Sequence, residues 1–254
     1  MWTHSCPRPV ARRQRVPSVQ RLGAVAAEEL VTLHRDLLDP PAHEGRPHVA
    51  LNFVMTADGR VSYRGRAEIG TRTDRELMFH LRSVADAVMI GAGTLRVDPF
   101  APAVPGRERQ PLAVVVTRSA ELPRENRFFS FPGPRLVATI AGAQVSGLEE
   151  RGVEILRLGD REVDLARLLV LLKERGVRFL LCEGGPTLAR QLLAAGLVDE
   201  LFLTHATLIT AEPDARRLFE GGHLPVGQIR LERVSLHEGP DGERYERSRI
   251  RYLS

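Results

Sequence analysis

Apolar positions in this chain follow two rhythms, short runs that read as buried strands and longer stretches spaced as one face of a helix. The first run, His48 to Thr56, predicts a strand. Thr73 to Ser83 then carries Leu77, Phe79 and Leu81, with Val84 just beyond, at helical spacing, and Thr73 followed three residues on by Glu76 is the pattern of a capping box. Further strands are predicted at Ala87 to Ile90, Leu112 to Thr117, Arg135 to Ile140, Val153 to Leu156 and Arg178 to Leu181. Helices are predicted at Leu165 to Arg175 and Thr187 to Ala195. This alternation implies an α/β fold, a mostly parallel sheet with helices on both faces.

The two ends read differently. Glu200 to Thr204, Ile229 to Glu238 and Glu243 to Tyr252 are extended patterns, and the last two flank Gly239-Pro240-Asp241-Gly242, which predicts an antiparallel C-terminal hairpin. Upstream, Arg21 to Leu38 carries Leu22, Val25, Ala26, Leu30, Leu33, Leu37 and Leu38 at helical spacing and stops at Asp39-Pro40-Pro41, the pattern of one amphipathic helix. Residues 1 to 20 read as an arm and Pro40 to Pro47 as a linker. The expected organisation is an arm, helix and linker over residues 1–46 and one domain over 47–254.

Composition narrows the function classes. A chain of 254 residues, 43% hydrophobic, has ample length to bury a core. No run approaches the roughly 18 apolar residues of a membrane helix, and Met1 to Gln20 lacks a signal-peptide core, so no membrane partner and a cytoplasmic location are expected. The net charge of +4 raises nucleic acid as a partner. Its arginines are spread along the chain, however, and 5% aromatics leave no base-stacking platform; attraction for phosphorylated small molecules is the favoured reading and no nucleic acid is expected. Cys6 and Cys182 form no CxxC pair, and His80, His205 and His237 lack metal-ligand spacing, so no metal site is expected.

The strongest chemical signal lies where two apolar runs end in small residues. Val88-Met89-Ile90 runs into Gly91-Ala92-Gly93-Thr94, and Phe179-Leu180-Leu181-Cys182 into Glu183-Gly184-Gly185-Pro186-Thr187. Missing side chains let a phosphate approach backbone N–H groups, and Pro186 suits a first helical turn. The first junction is not a dinucleotide fingerprint of the GxGxxG kind, because Arg96 stands where the third glycine belongs. No phosphate loop of the GxxxxGK[ST] kind is present either, and the one lysine, Lys173, sits in a helical pattern.

Four ordered motifs stand along the chain: Val49-Ala50-Leu51-Asn52 through Met55-Thr56-Ala57-Asp58-Gly59-Arg60, Asp74-Arg75 through Leu81-Arg82, Asp86 through Thr94, and Glu183-Gly184-Gly185-Pro186-Thr187-Leu188 through Asp199-Glu200-Leu201. By these, from about Pro47 to Tyr252, the chain resembles the reductase domain of riboflavin biosynthesis, the C-terminal half of the bifunctional deaminase-reductase and its free-standing counterparts. The resemblance implies a dihydrofolate-reductase-like fold, a homodimer, NADPH as cofactor, and hydride transfer to the opened ribose of a pyrimidine ribosylamine phosphate. It also implies roles for residues. Gly91, Gly93, Thr94, Gly184, Gly185, Pro186 and Thr187 would line the cofactor's diphosphate and ribose, Thr56 the nicotinamide end, and Arg118 and Ser119 the adenosine ribose, where an arginine fork and a hydroxyl suit a 2′-phosphate. Asn52, Asp58 and Glu183 would form the catalytic set.

Two positions qualify the resemblance. Asn52 matches the free-standing reductases, where the bifunctional enzymes carry lysine. Arg96 and Asp98 stand in the family's substrate segment, but Arg96-Val97-Asp98-Pro99 lacks the second aspartate and the Leu-Thr usual there. No HxE with PCxxC zinc signature of a deaminase appears. Three functions stand as expectations: the riboflavin-pathway reductase, a paralogue reducing another carbonyl, imine or pterin-like compound, and a non-catalytic NADPH-binding protein.

Overall fold

In the computed structural model, which describes residues 20–21, 34–67, 69–222, 224 and 229–253, the chain builds a ten-stranded sheet. The strands are β1 (Gln20–Arg21), β2 (His48–Met55), β3 (Ala87–Gly91), β4 (Leu112–Val116), β5 (Arg135–Thr139), β6 (Glu154–Arg157), β7 (Phe179–Cys182), β8 (Glu200–His205), β9 (Ile229–Glu238) and β10 (Arg244–Tyr252). Four α-helices accompany them, α1 (Arg72–Val84), α2 (Ala92–Val97), α3 (Leu165–Glu174) and α4 (Pro186–Ala194). The order across the sheet is β1-β9-β10-β8-β2-β7-β3-β4-β5-β6. From β8 to β6 every pair is parallel, while β10 runs antiparallel to both β8 and β9. The expected α/β sheet and antiparallel hairpin are therefore both present.

Unbroken apolar runs such as those of β3 and β4 belong in a sheet covered on both faces. One layer packs Ala50, Val88, Val115, Leu181 and Phe202 beneath Leu77 and Leu81 of α1 and Leu95 of α2. The other packs Val49, Leu51, Met89, Val114 and Leu180 beneath Leu168, Leu169 and Leu172 of α3 and Leu188 and Leu192 of α4. Alternation along β2 puts Asn52 and Val54 on the same face as Ala50, the α1 side of the sheet.

Two local expectations fail. The capping box does not form: Thr71, not Thr73, is the N-cap of α1, and no side chain of the helix caps it. Glu243 at the foot of β10 takes that place, accepting from the Thr71 N–H at 3.1 Å and from its hydroxyl at 2.6 Å. A carboxylate at a helix N-terminus is favoured by the dipole, so a distant residue supplants the local cap. Glu76 pairs with Arg72 at 2.7 Å instead.

The helix expected over Arg21 to Leu38 is also corrected where it is described. Arg21 lies in β1, paired with Glu238 of β9, and Arg35–Leu38 is a single 3₁₀ turn; residues 22–33 lie outside the described residues. Tertiary contacts hold the turn. Leu37 enters the α1-side core, and Asp36 makes a two-pronged ion pair with Arg247 at 2.8 and 2.7 Å.

The predicted linker is stitched down as well. Arg46 grips both oxygens of Asp199 at 2.7 Å each, and Asp199 Oδ2 also accepts the Val49 N–H at 2.8 Å. His43 and His48 offer ring nitrogens beside the same carboxylate, all within 4.8 Å of one another. The guanidinium already neutralises that carboxylate, so the cluster reads as a support for the start of β2.

The Arg247–Glu200 pair is almost wholly buried, at 2.8 and 3.0 Å. Arg247→Ala would strip Glu200 of its two-pronged partner and leave it only Arg249 at 3.9 Å and His48 at 4.0 Å, and we expect it to lower the unfolding free energy by about 3 kcal/mol in urea melts. Acid should weaken the same strand. The hydrogen bond from His205 holds Glu246 down at about 2. Its contribution is therefore complete above the unfolded value of about 4.3 and is lost as pH falls from there toward 2, which acid titration of the circular dichroism signal will show.

Candidate functional site

β7 lies between β2 and β3, and the chain leaves the adjacent strands β3 and β7 toward opposite faces. α2 sends Leu95 into the α1-side core, whereas α4 sends Leu188 and Ala189 into the other. A crevice opens where neighbouring strands send their helices to opposite faces, beyond the carboxyl ends of the strands. Both glycine junctions sit there.

They are joined to each other. Gly91 N–H donates to Gly184 O at 2.8 Å, and Glu183 N–H to Met89 O at 2.9 Å. The Gly184–Gly185 peptide is cis, and Gly184 has φ of +107°, a backbone conformation reserved for glycine. A Cβ on Gly185 would lie 3.0 Å from Thr94 Oγ1, whereas one on Gly93 would meet nothing within 4 Å. Gly91 and Gly185 are the N-caps of α2 and α4, and neither helix has a side-chain cap, so the first-turn N–H groups, which in α4 begin after Pro186, have no side-chain partner. The hydroxyls of Thr94 and Thr187 bond no described residue, and Thr187 is exposed beside Pro186.

Under α1 the crevice has a polar face. The half-buried Asn52 amide makes no hydrogen bond with a described residue. Glu183 is held by a two-pronged pair with Arg82, at 2.7 and 2.6 Å, with both side chains about one-tenth exposed. Burial by itself would lower the Arg82 pKa, but the Glu183 carboxylate outweighs it and holds the guanidinium above its ordinary value. Asp74, in the first turn of α1, is pushed up to about 6 by burial, with the Glu243 and Glu183 carboxylates adding to the rise against the Thr204 hydroxyl and Arg75.

The remaining predicted residues lie on the rim. Arg118 and Ser119 come after β4, next to Gly91 through the Gly91↔Val116 register. The exposed Arg118 guanidinium has no partner among the described residues, and Ser119 Oγ accepts the Glu121 N–H at 3.3 Å. Arg96 reaches Glu121 O at 3.3 Å, and Asp98 ends α2. Two residues are engaged within the protein, one in its own turn and one with a distant loop. The Thr56 hydroxyl accepts from Arg60 N–H at 2.9 Å within the turn, and the Asp58 carboxylate accepts from Thr210 and Ala211 N–H at 3.3 and 3.1 Å. Cys182 is buried and its thiol is pushed up to about 12, so it stays protonated.

Residues 47–242, which contain both junctions, match the RibD C-terminal domain. The chain belongs to this family. It is 35% identical over 199 residues to the 2,5-diamino-6-ribosylamino-4(3H)-pyrimidinone 5′-phosphate reductase of Methanothermobacter thermautotrophicus, covering 74% of this chain and 91% of that one. It is 29% identical over 204 residues to the Archaeoglobus fulgidus protein of the same name, covering 74% and 93%. Among solved structures, a pyrimidine reductase-like protein of Corynebacterium diphtheriae superposes with a TM-score of 0.74 at 25% identity, covering 90% of this chain and all of that one.

Within this RibD-type domain, sequence reasoning placed Asp74 and Arg82 in a motif but assigned them no task. A signal was present: Asp74, Leu77 and Leu81 fall on one helical stripe, so a carboxylate stood on the face predicted to be buried. Glu243 left no such signal, because its partner Thr71 is 172 residues away. Arg82→Ala would strand the Glu183 carboxylate, and we expect a loss of about 3 kcal/mol in stability by calorimetry, partly restored by Arg82→Lys.

Proposed function

We propose that this chain is an NADPH-dependent reductase that converts a phosphorylated pyrimidine ribosylamine to the ribitylamine, a step of riboflavin biosynthesis. The observation that carries the reading is the pair of joined glycine junctions at the switch point, opening onto the polar face that bears Asn52. The naming of its relatives as reductases supports it.

The residues fit a dinucleotide. Open space at Gly93, uncapped first turns on α2 and α4, and unpartnered hydroxyls on Thr94 and Thr187 suit an approaching diphosphate. Gly91, Gly184, Gly185 and Pro186 complete that cradle, and Thr56 bounds the nicotinamide end. The free Arg118 fork, with Ser119 beside it, is a receptor for the 2′-phosphate that separates NADPH from NADH. When bound, the cofactor supplies a hydride. The chain's own part is to orient the acceptor and exclude water. Asn52 orients a ribosyl hydroxyl, Glu183 keeps the crevice floor in place through Arg82, Asp58 holds the loop at Thr210, and Arg96 and Asp98 face the phosphorylated end.

On this reading residues 47–254 form the reductase domain, with residues 34–46 packed onto it through Leu37, Asp36 and Arg46, in a cytoplasmic homodimer. No helix among the described residues is long and apolar enough to cross a membrane. The shortened Arg96-Val97-Asp98-Pro99 segment favours one alternative, a paralogue with the same cofactor and a different acceptor.

Loss of NADPH absorbance on addition of the pyrimidine ribosylamine phosphate is the expected result; NADPH binding without turnover would move the assignment to the paralogue. Gly93→Ala should leave stability within about 1 kcal/mol, since its Cβ meets nothing, yet weaken NADPH by at least about tenfold in a fluorescence titration. Arg118→Ala should weaken NADPH by about tenfold or more and leave NADH unchanged.

A further inference from the structure

The buried stripe of α1 carries one acid. Leu77 and Leu81 come after Asp74 at helical spacing and lie in the core beneath the helix. The Asp74 carboxyl is bonded by the Thr204 hydroxyl of β8. Thr204 pairs with Val54 of β2, and Val54 shares the face of Asn52. Asp74 thus stands over the ends of β2 and β8, on the crevice face that also bears the Asn52 amide and the Glu183–Arg82 pair. A Cβ on Gly70 would overlap the carboxyl, so the chain entering α1 closes against it.

Several elements bring charges to face it. Glu243 comes from the hairpin, where the hydroxyls of Thr71 and Tyr245 bond it. Glu183 comes from the end of β7 and is neutralised by Arg82. Arg75 is on the same helix. Among the described residues Asp74 makes no ion pair. A half-buried carboxyl that makes no ion pair and has further carboxylates near it favours its neutral form.

We propose that Asp74 is the acid that donates the proton in this reduction. The inference rests on the reductase reading and adds the one group that reading lacks. The opened ribosylamine presents a C1′=N bond. C1′ gains hydride from NADPH, which becomes NADP⁺, and the π pair of the bond moves onto nitrogen. Asp74 gives its proton to that nitrogen, forming the N–H bond of the ribitylamine, and is left as a carboxylate that solvent at the crevice mouth reprotonates. An acid that titrates near 6 is matched to such a transfer near neutral pH.

The test compares wild type with D74N and D74E. For wild type, kcat should fall as pH rises above about 6, where the acid ionises. D74N should lose about a hundredfold in kcat, with a flat pH profile, little change in KM and unchanged NADPH affinity by fluorescence, while D74E regains part of the rate. A second readout does not depend on turnover. Calorimetric binding of the ribitylaminopyrimidine phosphate product, in buffers of different ionisation enthalpy, should show proton uptake near pH 7 that D74N lacks. A D74N enzyme with the wild-type rate and pH profile, or with the same proton uptake, overturns the role of Asp74 alone. If D74N does not fold, absence of proton uptake in wild type overturns it. A wild type that binds NADPH but reduces no pyrimidine ribosylamine overturns the reductase reading and this inference together.

Discussion

The insertion of β7 between β2 and β3 is the constraint on which the rest of the structure depends. Because β3 and β7 are neighbours whose helices leave to opposite faces, the sheet cannot close over their ends, and a crevice remains. The backbone there has to pack two turns side by side, with Gly91 bonded to Gly184 and a Cβ on Gly185 crowding Thr94. Packing crowds a side chain at Gly185, while the uncapped first turn of α2 leaves N–H groups bare beside open space at Gly93. Fold and binding surface are thus one arrangement.

The polar face of the crevice depends on a second relation, between α1 and the strands below it. Helix periodicity sets Asp74, Leu77 and Leu81 on one stripe, and strand alternation sets Asn52 and Val54 on the face that meets it. Apolar residues of the stripe fill the core, and the polar ones gather at the open end. Arg82 and Glu183 neutralise each other there, which lets two charges sit at low exposure without leaving either unpaired. Glu243 closes the helix from the far hairpin, so the C-terminal strands and the crevice are mechanically one unit.

Most strand and helix positions were readable because each depends on a local pattern. β9 begins and ends where alternation and turn residues place it, and α3 and α4 begin within a residue of their predicted starts. Failures occurred where a distant residue outcompeted a local one. Thr73 and Glu76 make a sound capping box, but the Glu243 carboxylate reaches Thr71 first. Leu37 and Leu38 continue a helical rhythm, yet Arg247 draws Asp36 into a 3₁₀ turn. The long-range bonds of Asp58 were hidden for the same reason: its motif is plain, while its carboxylate accepts from the distant loop at Thr210 and Ala211.

By itself, the sequence determined the alternation of strands and helices, the two glycine junctions and the family motifs, because these rest on periodicity, on missing side chains and on residues adjacent in the chain. Tertiary structure alone decided that the two junctions meet, that Arg82 pairs with Glu183 across 101 residues, and that Asp74 has no ion-pair partner among the described residues. Those facts depend on which strand β7 is inserted beside and on how α1 lies across the sheet. Long-range pairing of that kind leaves no period in the chain, since its partners are set by the order of strands in space.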